Sequence, residues 1–288
     1  MKTIGNHYFY GWYFRCCQQD DIHFAVIPAI HICDRKRSCS IQIITEWGSW
    51  NKEFPIEEFR IDQDKTVMQI GSNLFSQKGI QLNLVTEGLK IKGTLRFGNF
   101  AKLRYDIMGP FCLIPGMECR HAVYSVRHSV YGKLQLNERY LNFQEGQGYM
   151  EGDSGSSFPS SYIWTQHFFH EGALMIAVAT VPMGRLQFTG VTGFLYWKGK
   201  EYRLATYCGA VVEKMREREV QIRQGKYRLK MIFPPQKGEQ LNAPKNGKMT
   251  RRIRENVCSR AEYTLMYKNR IIFREVTDQA AVEYEMQI

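Results

Sequence analysis

The sequence predicts a nearly all-β protein, and three observations carry that expectation. Apolar and polar residues alternate with period two in one segment after another. Short turns separate these segments, while apolar residues at helical spacing are almost absent. Aromatic residues make up 13% of the 288-residue chain, with 16 Tyr and 17 Phe. Such rings suit pleated, half-buried surfaces or an aromatic-lined pocket.

Taken in order, the elements read as follows. Pro55 to Phe59 starts as a single helical turn. In Leu89 to Phe97 the residues Leu89, Ile91, Leu95 and Phe97 face one way, and Lys90, Lys92, Thr94 and Arg96 the other. Ala122, Tyr124, Val126, His128 and Val130 repeat the alternation ahead of a turn expected at Gly132. Tyr227, Leu229, Met231 and Phe233 do so after a turn at Gln224-Gly225. Pro234 to Lys248, rich in Pro, Gly, Asn and Lys, predicts a mobile loop. Met249 to Val257 predicts one short helix. Ala261 to Glu275 predicts a hairpin whose loop is Lys268-Asn269-Arg270.

Many strands with short turns make a sandwich or a barrel. An eight-stranded barrel takes roughly 130 to 150 residues, so the chain has room for two. We expect β-rich halves at 1–118 and 119–288, with a boundary near Pro115-Gly116. Tyr10-Gly-Trp-Tyr-Phe in the first half has a faint echo in Ser161-Tyr-Ile-Trp-Thr-Gln of the second. A 44% hydrophobic and 23% charged composition is that of a globular protein. No run of about 18 uncharged apolar residues indicates a membrane span. The opening MKTIGNHYFYGWYFRCC is broken by Gly5, Gly11 and Arg15 and lacks the plan of a signal peptide. A cytoplasmic location is expected, with eight reduced, mostly core cysteines and no C-x-x-C pair. The net charge is +11, and residues 211–260 hold 14 Lys and Arg against 5 Asp and Glu, or +9 of it. Nucleic acid is not the expected partner, since no recognition helix, zinc-finger spacing or RNA-binding signature is present. Peripheral contact with an anionic membrane is one reading of this region; a solvated strand face with a basic loop is the other.

The usual catalytic sets are absent: no nucleophile elbow, phosphate loop or dinucleotide fingerprint occurs. His167 and His170, like His121 and His128, would point to opposite faces of a strand, so no metal site is expected. The most unusual stretch runs from Gly146 to His167. It sets Glu151 and Asp153 among glycines, with Tyr149 beside them, just before an aromatic strand. In extended chain, a spacing of two places all three on one face. The carboxylates are either an acid site at a pocket or a capped turn in which Asp153 bonds backbone amides.

Glu151, Gly155, Phe158, Pro159, Tyr162, Trp164 and Gln166 resemble the signature of the tocopherol cyclase family. Phe9-Tyr-Gly-Trp-Tyr-Phe-Arg15 is similar to that family's opening motif. So are Met108-Gly-Pro-Phe111, Pro115-Gly-Met-Glu-Cys119, Arg203 to Ala210 and Gly247 to Glu255, so that the resemblance spans nearly the whole chain. Two positions depart from it: Ser154 stands for a Trp and Tyr10 for a Glu.

The resemblance implies two lipocalin-like β-barrel or sandwich halves and a cofactor-free cyclisation. A carboxylic acid protonates an isoprenoid alkene, a tertiary cation forms, and a phenol oxygen traps it; hydration would use water instead. The acid needs a site apolar enough to stay protonated near neutral pH, aromatic faces can stabilise the cation, and bulk water must be excluded. Asp153 is expected as the acid, with Glu151 second and Glu118 and Asp106 behind them. Trp12, Tyr13, Phe14, Tyr149, Phe158, Tyr162, Trp164 and Gln166 are the expected substrate-binding residues. The alternative is a carrier of an apolar lipid or quinone without turnover; either way the expected partner is an apolar isoprenoid or quinone-like small molecule.

Overall fold

The computed structural model describes residues 7–18, 22–114, 117–183, 186–216, 218–235 and 238–285. The expected boundary at Pro115-Gly116 lies outside the described residues. The protein is all-β. Apart from three short 3-10 turns, at Ile56–Glu58, Gly109–Leu113 and Thr206–Cys208, its named elements are strands paired antiparallel.

The chain divides into two compact units. The first comprises Met1–Arg104, Cys119–Phe158 and Leu241–Arg252, and the second Tyr105–Glu118, Pro159–Gln240 and Ile253–Ile288. Strand pairing, not chain order, sets these groupings: residues 119–158 pair back onto the N-terminal strands, whereas the sequence reading placed them with the C-terminal half.

Strands of the first unit are β1 (His7–Gln18), β2 (Ile22–Cys33), β3 (Lys36–Thr45), β4 (Gly48–Pro55), β5 (Phe59–Ile61), β6 (Val67–Ile70), β7 (Asn73–Ser76), β8 (Gly79–Thr86), β9 (Leu89–Phe97), β10 (Cys119–Leu136) and β11 (Arg139–Gly155). They form one sheet in the order β4-β3-β2-β1-β11-β10-β9-β8-β7-β6-β5. One face carries an apolar core that includes Trp12, Phe14, Phe24, Ile41, Phe75, Leu95 and Met150. β8 and β9 alternate buried and exposed residues, as the sequence predicts for β9. β1 and β2 are buried on both faces, which is why their aromatic sequences do not alternate.

The second unit holds β12 (Ser161–Phe169), β13 (Gly172–Met183), β14 (Leu186–Trp197), β15 (Lys200–Arg203), β16 (Ala210–Arg216), β17 (Glu219–Gln224) and β18 (Tyr227–Ile232). β21 (Arg270–Glu285) and most of β20 (Lys248–Tyr267) complete the set, while β19 (Glu239–Lys245), which pairs with β20, lies mostly in the first unit's Leu241–Arg252 span. The sheet order is β15-β14-β13-β12-β21-β20-β18-β17-β16, and β14 comes into contact with β16, so the sheet nearly closes on itself. Its core includes Ile163, Leu174, Ile176, Val220, Leu229, Tyr263 and Phe273. A cavity of about 200 Å³ lies among Tyr202, Arg203, Gln224, Tyr227 and Leu265.

Two spans that the family resemblance singled out meet in this unit. Arg203 donates to the Tyr105 and Asp106 carbonyls at 3.2 and 3.0 Å, to the Tyr207 hydroxyl at 2.8 Å and to Glu201 at 2.7 Å. Gly109, at φ +51°, lies under the Tyr207 ring; a Cβ there would come within 2.7 Å of ring carbons. Arg203 is thus a buried clamp on residues 105–109.

Three expectations need correction. Met249–Val257 is part of β20, not a helix. Met249, Ile253 and Val257 are four apart, a spacing that also fits period two, and pairing with β21 through Glu255–Glu283 and Asn256–Val282 decides for strand. The expected loop at 234–248 contains β19, with Leu241 and Ala243 buried. There the Gln42 side-chain amide acts as a strand edge: its Nε2 donates to the Asn242 carbonyl at 2.9 Å and its Oε1 accepts the Asn242 N–H at 2.8 Å. Gly132 is not a turn but a register shift inside the 18-residue β10.

Candidate functional site

The face of the first sheet opposite its apolar core carries buried polar groups. On β11, Met150 points into the core, so Tyr149, Glu151 and Asp153 point the other way. On β1, Tyr13 stands directly opposite Glu151, and Gly11 opposite Asp153. On β10, His121 stands opposite Asp153 and Val123 opposite Glu151. Strand pleating and register therefore bring these side chains together.

The polar groups form a chain. The Tyr149 hydroxyl donates to Glu151 Oε2 at 2.5 Å, and His121 Nε2 lies 3.3 Å from the same oxygen. His121 Nδ1 lies 3.0 Å from Asp153 Oδ1, which also accepts a long bond of 3.6 Å from the Cys119 thiol. Glu151 is the deep carboxylate, its side chain 6% exposed against 21% for Asp153. Burial first, and then the Glu151 carboxylate, push the Tyr149 hydroxyl well above its ordinary pKa, so it remains a hydrogen-bond donor.

His121, Glu151 and Asp153 present ligand atoms within 4.8 Å of one another, close enough for a cation to draw them together. In the structure each ring nitrogen faces a different carboxylate, Nε2 that of Glu151 and Nδ1 that of Asp153, which is the geometry of a hydrogen-bonded relay. The arrangement suits proton transfer along Asp153–His121–Glu151–Tyr149.

The other face of the same strands is aromatic. Trp12 and Phe14 lie in the core, on the side of the sheet opposite Glu151. The Trp12 indole donates to the Tyr10 hydroxyl at 2.7 Å. β11 is glycine-rich because rings lie flat on it: a Cβ on Gly148 would fall 2.2 Å from His128 Nε2, and one on Gly152 would fall 2.8 Å from Tyr124. His128 stacks on Phe100 and packs at a tilt against Phe97, with ring centroids 4.5 and 4.6 Å away. Burial holds its pKa down to about 3, and that of His31 down to about 4.

Of the residues expected at the site, Tyr13, Tyr149, Glu151 and Asp153 share one face of the first unit. Phe158 packs edge-on to Phe9 at 5.4 Å. Tyr162, Trp164 and Gln166 belong to the second unit, where they are buried and point away from its core. The Tyr162 hydroxyl donates to Glu283 at 2.8 Å. His121 was not singled out from the sequence, and no local signal marks it. Glu118 and Asp106 lie in the second unit's 105–118 segment, where the Asp106 carboxylate accepts the Met108 N–H at 2.8 Å. Cys16, Cys17, Cys33 and Cys39 are buried, and Cys208 is exposed.

No family model matches the sequence, and no curated protein matches it. Solved structures do. A putative AttH from Nitrosomonas europaea aligns over 97% of this chain and 93% of its own, with a TM-score of 0.56 and 8% identity. Kievitone hydratase from Nectria haematococca aligns over 96% and 89%, with a TM-score of 0.54 and 7% identity. At such identities the likeness is one of fold, and it extends over nearly the whole chain.

Proposed function

We propose that the protein is an acid–base catalyst that adds an O–H group across an alkene of an isoprenoid-bearing substrate, with Glu151 as the proton-transferring carboxyl. The observation that carries this reading is the buried Glu151, with Tyr149 and His121 on one oxygen and Asp153 behind His121. The resemblance to the tocopherol cyclase family supports it, as does a fold shared with a hydratase.

In this reading protonated Glu151 gives its proton to the less substituted alkene carbon, and a tertiary cation forms at the other. The carboxylate left behind is stabilised at Oε2 by the Tyr149 hydroxyl and His121. Water, or a phenol of the same substrate, attacks the cation, and the proton it loses returns to Glu151 directly or through His121. Asp153 accepts from His121 Nδ1 and so fixes the tautomer and supports positive charge on the ring. Tyr13 and Tyr149 are the rings on this face suited to stabilise the cation. The sequence put Asp153 first as the acid; burial favours Glu151, with Asp153 as the residue that positions His121.

The test is turnover of prenylated phenols and quinols by the parent protein and by Glu151→Gln. Gln keeps the shape but carries no transferable proton, so a rate loss of about 10²–10⁴ with apolar-ligand binding retained is expected. Parent-like turnover in a folded Glu151→Gln variant overturns the assignment. Tight binding without turnover by the parent replaces it with carriage of the ligand.

A further inference from the structure

A second cluster of ionisable groups lies at the far end of β1, apart from the proposed relay. His7 and Cys33 are direct cross-strand partners on β1 and β2, so their side chains share a face. Asp34 follows in the turn at φ +54°, a left-handed conformation that Asp tolerates better than most residues. This turns its carboxylate back onto the pair. Asp34 Oδ1 lies 3.3 Å from His7 Nε2, and Oδ2 lies 3.5 Å from the Cys33 sulfur. The sulfur lies 3.4 Å from His7 Nδ1. Thiol, imidazole and carboxylate therefore each touch the other two, with ligand atoms within 4.8 Å of one another.

The hydrogen bonding fixes which nitrogen is available. His7 Nδ1 lies 2.8 Å from the Asn246 carbonyl, an acceptor, so Nδ1 carries the hydrogen. In the neutral ring Nε2 then offers a lone pair to a carboxylate oxygen 3.3 Å away. Two acceptors face each other, and only a positive charge between them makes the contact favourable. A backbone carbonyl on the non-ligating nitrogen is also the support that metal-bound histidines use.

We propose that His7 Nε2, the Cys33 thiolate and the Asp34 carboxylate bind a divalent ion of zinc type, with a fourth position open to water. Sulfur with imidazole selects a borderline-soft ion over calcium or magnesium. His7 and Asp34 are 42% and 66% exposed at their side chains, so the ion has access from solvent. A nucleophilic Cys–His pair fits less well, because the ring nitrogen that faces the sulfur is the one held by the Asn246 carbonyl and has no lone pair to take the thiol proton. Binding the ion there would displace the thiol proton. Bound there, the ion would cross-link the start of β1 to the end of β2 and the turn at Asp34, without entering the relay chemistry.

Cobalt(II) reports directly on such a site. The tag-free protein, stripped with chelator, is titrated with Co²⁺ and its near-ultraviolet and visible spectra are recorded. One equivalent should give a thiolate-to-cobalt charge-transfer band with tetrahedral d–d bands, and Zn²⁺ should bleach both. Cys33→Ser should abolish the charge-transfer band, and His7→Asn should weaken binding more than about tenfold. Circular dichroism melts without metal check that both variants are folded; if Cys33→Ser is not, His7→Asn decides. Absence of the band in the folded parent overturns the proposal and leaves an imidazolium–carboxylate pair. So does a band that persists in Cys33→Ser, which would place the ion at another cysteine.

Discussion

Gly148→Ala tests the packing that gives β11 its glycines. The new Cβ would stand 2.2 Å from His128 Nε2, 2.6 Å from Cδ2 and 2.8 Å from Cε1, well inside contact distance. The imidazole has little freedom to retreat. Phe100 stacks on one face at 4.5 Å, Phe97 packs against the ring at 4.6 Å with its plane tilted 57°, and Nδ1 is held at 2.9 Å by the Ser125 hydroxyl, which itself donates to the Arg127 carbonyl at 3.1 Å. Overpacking of this kind costs about 1–3 kcal/mol. Against that stands a gain of roughly 0.5–1 kcal/mol from replacing a strand glycine. A net loss of about 1–2 kcal/mol is expected in urea unfolding of the variant. In a His128→Ala background the clash is gone, so the same Gly148→Ala change should be neutral or stabilising. The coupling energy from the double-mutant cycle should then reach about 1–3 kcal/mol. A single variant as stable as the parent, or a cycle with coupling below about 0.5 kcal/mol, would refute the claim that the ring dictates the glycine.

Other expectations follow from the same structure. Arg203→Met leaves Glu201, 5% exposed at its side chain, without its cation, and should cost about 3–5 kcal/mol; the Arg203→Met, Glu201→Met pair should cost less, and denaturant midpoints measure both. Stability should be fullest above about pH 6.5 and fall as the pH drops toward 4, because the unfolded chain takes up protons that buried His31 and His128 refuse. The slope is roughly 1 kcal/mol per pH unit for each histidine, and urea midpoints unchanged between pH 7 and pH 5 would contradict it. If the basic stretch meets anionic lipid, vesicle binding should weaken with salt and with Arg251, Arg252 and Arg254 changed to Ser. Any such effect is tempered because Glu213 pairs with Arg223 and Arg228, and Glu219 with Lys214 and Lys230. Vesicle co-sedimentation at low salt showing no binding removes that partner.

By itself the sequence determined the fold class and several elements to within a residue or two. β9, β18 and the β20–β21 hairpin turn are legible because one buried and one exposed face impose period two on the residues. It also marked Tyr149, Glu151 and Asp153 as sharing a face, since that needs nothing beyond a strand. It did not give β19, whose pairing is with β20, nor the strand character of Met249–Val257, where a spacing of four suits both periods. Least of all did it give His121. β10 and β11 close at Leu136–Arg139, whose numbers sum to 275, and a regular ladder from that turn would set His121 opposite Ser154. The register shifts near Gly132, Ser125–His128 and Val123–Ser125 carry the sum through 276 to 274, and His121 lands opposite Asp153 instead. A slip of one residue turns a side chain to the other face. His128, at the edge of one of these shifts, packs against Phe97 and Phe100, contacts that the local sequence of β10 does not contain. The relay therefore exists only in the folded molecule.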